Sequence, residues 1–269
     1  MNKAHSFRLK GTLLLGVLLI VCAAFEAFAE NWEEIKGDHF IVYYTRSRTF
    51  GKEALRKAEE YYDKIANDLG YARRDKFWNW DDRVKIYIYP SEKAYLDYVK
   101  SMGYAEWSVG FADYCKKEIV SYHHGKGFLD AILPHELTHL LFRDYVGTKN
   151  IPMWIDEGVA QWQEKGRLKE VNKELRREFK NHSPIPMERM MSLNIAVITN
   201  EFIVDLYYLQ AVSMVDFMIT RYGSEKFVYF CRQLRDGKRI DNALKFTYPT
   251  MIRTTEDLER EWLEYLQVD

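Results

Sequence analysis

Two histidines four residues apart, with a glutamate directly after the first, stand at His135-Glu136-Leu137-Thr138-His139. On a helix, residues four apart lie one above the other on one face. His135 and His139 can therefore turn imidazole nitrogens toward one ion, at about 2.0–2.1 Å each for zinc. Glu136 falls one step round the helix, beside the ion rather than on it. There it can take a proton from a water that the ion activates. The spacing has a chemical reason, because a carboxylate spent as a ligand is no longer a free base. The flanking Ile132, Leu133, Leu137, Leu140, Leu141 and Phe142 are apolar enough to bury the helix.

A catalytic zinc site needs a third protein ligand and an open fourth position. The stretch Ile151-Pro152-Met153-Trp154-Ile155-Asp156-Glu157-Gly158-Val159-Ala160-Gln161 offers one on a second helix beginning after Pro152. Glu157 is the expected ligand, with Asp156 and Glu164 as alternatives. Gly158 and Ala160 are small and would let two helices approach closely. His123 and His124 are adjacent on a predicted strand and point to opposite faces, so neither is expected to be a ligand. For a developing oxyanion, Tyr208 on a later helix is the expected hydroxyl donor. Tyr207, about 100° round the same helix, is the alternative.

These residues must be held by surrounding elements. Residues 39–44 and 84–89 read as strands from their β-branched and aromatic alternation. Residues 118–123 read as a third strand, either at a sheet edge beside the metal, where an extended peptide could pair with it, or internal. Apolar residues at helical spacing predict a helix over 50–69, ended by Gly70, and a short one capped by Ser91. Pro134 places the start of the metal helix near itself, or at a kink after an earlier turn near Phe128. Residues 167–179 read as an amphipathic helix and 207–222 as a buried one. Further helices are predicted over 224–235, 239–246 and 255–266, the last with a capping signal at Thr254-Thr255-Glu256-Asp257.

The pattern H-E-L-T-H followed by P-x-W-I-x-E-G-V-A resembles the gluzincin metallopeptidases, in particular the bacterial peptidase MA-like domains. Tyr208-Leu209-Gln210-Ala211, Asp241-Asn242-Ala243-Leu244 and Leu258-Glu259-Arg260-Glu261-Trp262 extend the similarity toward the C-terminus. It implies an α+β, thermolysin-like gluzincin fold, with a small mixed sheet and helices first and a mainly helical part after. It implies one zinc ion per chain on His135, His139 and Glu157, with Glu136 as base and peptide hydrolysis as the reaction. Tyr248-Pro249 stands where such domains lead one to expect a glycine. The G-x-M-E-N motif of gluzincin aminopeptidases is absent, so an endopeptidase is favoured over N-terminal trimming. The alternative is a non-catalytic exported zinc-binding or assembly module of the same fold.

The chain has 269 residues, 47% hydrophobic and 15% aromatic, with a formal net charge of −1. That is a globular composition, and it gives no electrostatic footprint for nucleic acid. Lys3, Arg8 and Lys10 precede an apolar run over residues 11–25 and a small-x-small site at Ala27-Phe28-Ala29. This is the pattern of a secretory signal peptide. The expected division is a leader over 1–29, an α/β part over 30–147 ending in the metal helix, and a helical part over 148–269. The expected location is secreted, periplasmic or cell-envelope, with the membrane engaged only through an uncleaved leader. The partner is a peptide or protein substrate. Cys115 and Cys231 would remain after cleavage; export permits a disulfide between them without requiring one.

Overall fold

A computed structural model describes residues 31–70, 78, 82–103, 109–147 and 149–267. The expected leader over residues 1–29 lies outside the described residues. Among the described residues five strands form one sheet: β1 (Glu33–Lys36), β2 (Phe40–Tyr44), β3 (Val84–Tyr89), β4 (Gly110–Asp113) and β5 (Glu118–Tyr122), in the order β1-β2-β3-β5-β4. β2, β3 and β5 run parallel, while β4 returns antiparallel to β5. The fold is α+β, with a small mixed sheet and mostly helices around it.

Alternation explains β2 and β3. Phe40 and Val42 of β2 and Val84, Ile86 and Ile88 of β3 turn inward to a common core. β5 is buried at Ile119, Val120, Ser121 and Tyr122 because helices cover both of its faces. On the core side the coil at Phe128–Ile132 packs on β5 and α1 (Arg48–Asp68) packs on β2; α1 starts where Ser47 Oγ accepts the Phe50 N–H at 3.2 Å. On the other side α2 (Glu92–Ser101) sets Tyr95 and Val99 against Val120 and Tyr122.

The strand over Glu118–Tyr122 is internal, between β3 and β4. The edge on this side of the sheet is β4, a four-residue strand absent from the sequence reading. It forms because the turn after it folds back on β5, where the Asp113 carboxylate accepts the N–H groups of Cys115 and Lys116 at 3.0 Å.

After β5 the chain coils through a wide π-type turn at Phe128–Ile132 directly into α3 (Leu133–Val146). Pro134 lies in the first α turn, where its missing N–H costs nothing. Coiling thus begins at Phe128 and becomes α-helical at Leu133. α4 (Met153–Trp162), α5 (Leu168–Glu178), α6 (Met187–Ser192) and α7 (Glu201–Tyr222) follow, then α8 (Ser224–Arg235), α9 (Ile240–Thr247) and α10 (Thr255–Gln267). α7 begins earlier than its apolar run suggests, because Asn200 Oδ1 accepts the Ile203 N–H at 3.2 Å and caps it. At the head of α10, Asp257 N–H donates to Thr254 Oγ1 and Thr254 N–H donates to Asp257 Oδ2. That is a reciprocal capping box.

α7 is the central helix of the C-terminal region, apolar on most sides because α4, α5 and α8 surround it. Residues Glu34–Asp269 form one compact unit. Cys115 is exposed and Cys231 buried, and both are free.

Candidate metal centre

α3 and α4 pack against each other and bring His135, His139 and Glu157 together. One ligand atom from each lies within 4.8 Å of the others. His135 Nε2 and His139 Nε2 are 3.2 Å apart. Glu157 presents Oε2 at 3.6 Å from the first and Oε1 at 3.8 Å from the second.

The far sides of both rings meet carboxylates. Glu164 Oε1 lies 2.8 Å from His135 Nδ1. Asp156 Oδ2 lies 3.2 Å from His139 Nδ1, an ion-pair contact off the line of a hydrogen bond. The alternatives considered for the third ligand, Asp156 and Glu164, thus sit behind the histidines, while Glu157 sits in front. In the neutral rings the Glu164 carboxylate holds the His135 proton on Nδ1 and leaves Nε2 as a lone pair, and the Asp156 charge favours the same tautomer of His139. Two lone pairs then face one point across 3.2 Å, with a carboxylate beside them. Such an arrangement calls for a positive centre.

The donor set fits zinc. Two imidazoles and one carboxylate are its catalytic ligand types, and tetrahedral ligands at 2.0–2.1 Å stand about 3.3–3.4 Å apart. The nitrogen pair is close to that spacing, and each Glu157 oxygen stands 3.6 or 3.8 Å from its nearer nitrogen.

The charges around the cluster agree. Burial works to lower the pKa of His135, but hydrogen bonds to Glu157 and Glu164 hold it well above the ordinary value. Burial likewise opposes protonation of His139, and the charges of Asp156 and Glu157 outweigh it. Burial alone would raise the Glu157 and Asp156 carboxyls. The His139 charge, with His135 on Glu157 and Arg143 on Asp156, holds both below their ordinary values. Glu136, only 9% exposed, is raised by burial against the pull of both histidines.

Asp156 is itself anchored. Arg143, one turn beyond His139 on α3, donates from Nη2 to Asp156 Oδ2 at 2.5 Å. The Arg143 guanidinium lies over the Tyr114 ring, 3.7 Å from its centroid. Sequence reasoning missed Arg143, Tyr114 and the contacts of Glu164. The i to i+4 spacing of His139 and Arg143 on one helix face was the available signal for the first.

The cluster lies in an open cleft of about 660 Å³. One wall is the edge strand β4 with Val109 and Tyr114; the other carries Gln161, Glu164 and Tyr208. Glu136 reaches this cleft beside the three ligand groups. Tyr208 faces it too, its phenol pushed up to about 12 by burial and by the charge of Glu157. Tyr207 is fully buried and its hydroxyl has no hydrogen-bond partner among the described residues. His123 packs on Phe50 and His124 on Tyr122, both outside the cluster.

Gly158 sets the distance between α4 and α7. A Cβ there would lie 2.6 Å from the Ala211 carbonyl oxygen and 2.7 Å from Val215 Cγ2. The side chain beside it, Glu157, is thereby held close to the helix that carries Tyr208.

A family model of the peptidase MA superfamily matches residues 70–268, a span that contains the cluster, the cleft and α7. No curated protein matches the chain.

Proposed function

The chain belongs to the peptidase MA superfamily, and from that premise we propose that it is an exported zinc-dependent endopeptidase of thermolysin-like gluzincin type. His135, His139 and Glu157 would hold one zinc ion per chain. The observation that carries this reading is the pair of Nε2 atoms 3.2 Å apart, each backed by a carboxylate at Nδ1. The ion's contribution is Lewis acidity toward water and toward a carbonyl oxygen.

The protein's own groups do the rest. Glu136, left out of the ligand set, accepts the proton of the attacking water and delivers it to the leaving amine. The Tyr208 hydroxyl donates a hydrogen bond to the oxyanion as the carbonyl becomes tetrahedral. Among the described residues β4 is paired on one side only, by β5, and its residues line the cleft. It therefore offers main-chain hydrogen bonds to an extended peptide. A long open cleft flanked by a strand supports cleavage within a chain rather than at its end. Export rests on the charged, apolar and small-residue order of residues 1–29. The substrate is a peptide or protein met outside the cytoplasm.

Metal analysis of the purified protein, followed by digestion of a peptide library read by mass spectrometry, tests this proposal. It predicts one zinc per chain and internal cleavage products. Bound zinc with every peptide intact would favour an exported zinc-binding or assembly module instead.

A further inference from the structure

A second cavity adjoins the cleft. Gln161, Glu164 and Tyr208 wall both, and the second, of about 530 Å³, runs along α5 and the first turns of α7. Its apolar lining comes from Phe202, Leu206 and Leu209 of α7. Its charged lining holds four carboxylates, Glu164, Glu174, Glu178 and Asp205, against two guanidinium groups, Arg167 and Arg177. The excess is two negative charges.

Most of these groups are engaged. Glu164 holds His135, and Arg167 Nε donates to Gln161 Oε1 at 3.3 Å. Glu178 lies 3.4 Å from Arg177 Nε and 3.6 Å from His182 Nδ1. Glu174 and Asp205 make no hydrogen bond or ion pair among the described residues. A cavity beside a catalytic cleft and sharing three of its wall residues, with an apolar lining and two unengaged carboxylates, suits a side chain that is aliphatic along its stem and cationic at its tip. An acidic side chain would meet the like charges of Glu174 and Asp205 against the single guanidinium, Arg167, that lacks an acidic partner among the described residues, and a short polar one would leave the apolar lining uncovered.

We propose that this cavity is a substrate subsite for a lysine or arginine residue close to the scissile bond, with Glu174 and Asp205 as its specificity-determining groups. The proposal rests on the peptidase reading above and names the substrate class of that site.

The test is digestion of an N-acetylated, C-amidated peptide library by the full chain, with cleavage sites read by mass spectrometry. Lysine or arginine should be enriched over glutamate about tenfold at one fixed position beside the cleaved bond, the size expected from two partly exposed ion pairs. The pair Glu174→Gln and Asp205→Asn should lower the ratio of kcat/KM for basic over neutral peptides about tenfold, chiefly through KM. Glu174→Lys with Asp205→Lys should turn the preference toward acidic residues. In parallel, calorimetry should show the Glu136→Gln protein binding a basic peptide more tightly than its acidic counterpart. The Gln and Asn substitutions should erase that difference.

Cleavage without such a preference would overturn the subsite and leave the peptidase reading standing. No cleavage of any peptide would instead overturn the peptidase reading. The calorimetric comparison then decides the subsite alone: equal binding of the basic and acidic peptides overturns it.

Discussion

Glu164 Oε1 stands 2.8 Å from His135 Nδ1, seven residues beyond the carboxylate that faces the other nitrogen of the same ring. The contact fixes both the tilt of the imidazole and which nitrogen carries its proton. Removing such a partner from a metal-ligating histidine weakens metal binding about 10–100-fold. Glu164→Ala should show that loss in a competition titration against a chromophoric chelator, with Glu164→Gln falling between it and the parent. Unchanged zinc affinity in the alanine variant would mean that the contact has no hold on the site.

The two neighbouring tyrosines of α7 should part in opposite ways. Tyr208 faces the cleft, so Tyr208→Phe should lower kcat roughly a hundredfold with little change in KM, as loss of an oxyanion donor does. Tyr207 is buried, and its hydroxyl has no partner among the described residues. Tyr207→Phe removes a polar atom that has no partner and should leave stability equal or slightly higher. Steady-state kinetics beside thermal melts of both variants separate the roles. A larger kcat loss in the Tyr207 variant would reverse the assignment.

Gly158→Ala places a methyl group against the Ala211 carbonyl and Val215. The α4–α7 contact must open, at a cost of about 1–3 kcal/mol. The melting temperature should fall, and zinc affinity with it, because Glu157 moves with α4. A melt that matches the parent protein would show that the two helices have slack at this point.

At high pH the fold should weaken through its phenols. Burial, with Asp130 nearby, pushes Tyr61 up to about 12, and burial with Glu118 does the same to Tyr87. An unfolded tyrosine ionises near pH 10. The stabilisation is therefore complete below about pH 10 and is lost as pH rises toward about 12. Melting temperatures across that range, with tyrosinate absorbance followed in parallel, should show a falling midpoint and a delayed group of phenols. Native phenols that all titrate near pH 10 would contradict this.

Much of the site was legible because its grammar is local. His135, Glu136 and His139 need only one turn of helix to define their geometry, and Glu157 was marked by its setting between Trp154 and Gly158. The strands β2, β3 and β5 announced themselves by alternation or by an apolar run. What stayed hidden depends on residues distant in sequence. β4 reads Gly-Phe-Ala-Asp, too short and mixed to signal a strand. Its position at the edge is fixed only once β5 has paired with β3. Asp156 and Glu164 look like spare carboxylates until the fold turns them toward the Nδ1 atoms of α3. The second cavity joins α4, α5 and α7, segments whose nearness no periodicity encodes.

Glu136→Gln tests the central claim most directly. The substitution keeps the size and burial of the side chain, leaves His135, His139 and Glu157 intact, and removes only the proton acceptor. Zinc content and peptide turnover should be measured on the same preparations of the parent and variant proteins. The account predicts one zinc per chain in both, with turnover falling by about 10²–10⁴-fold in the variant, the usual contribution of a positioned base. Zinc-loaded Glu136→Gln protein that cleaves at the parent rate would contradict it.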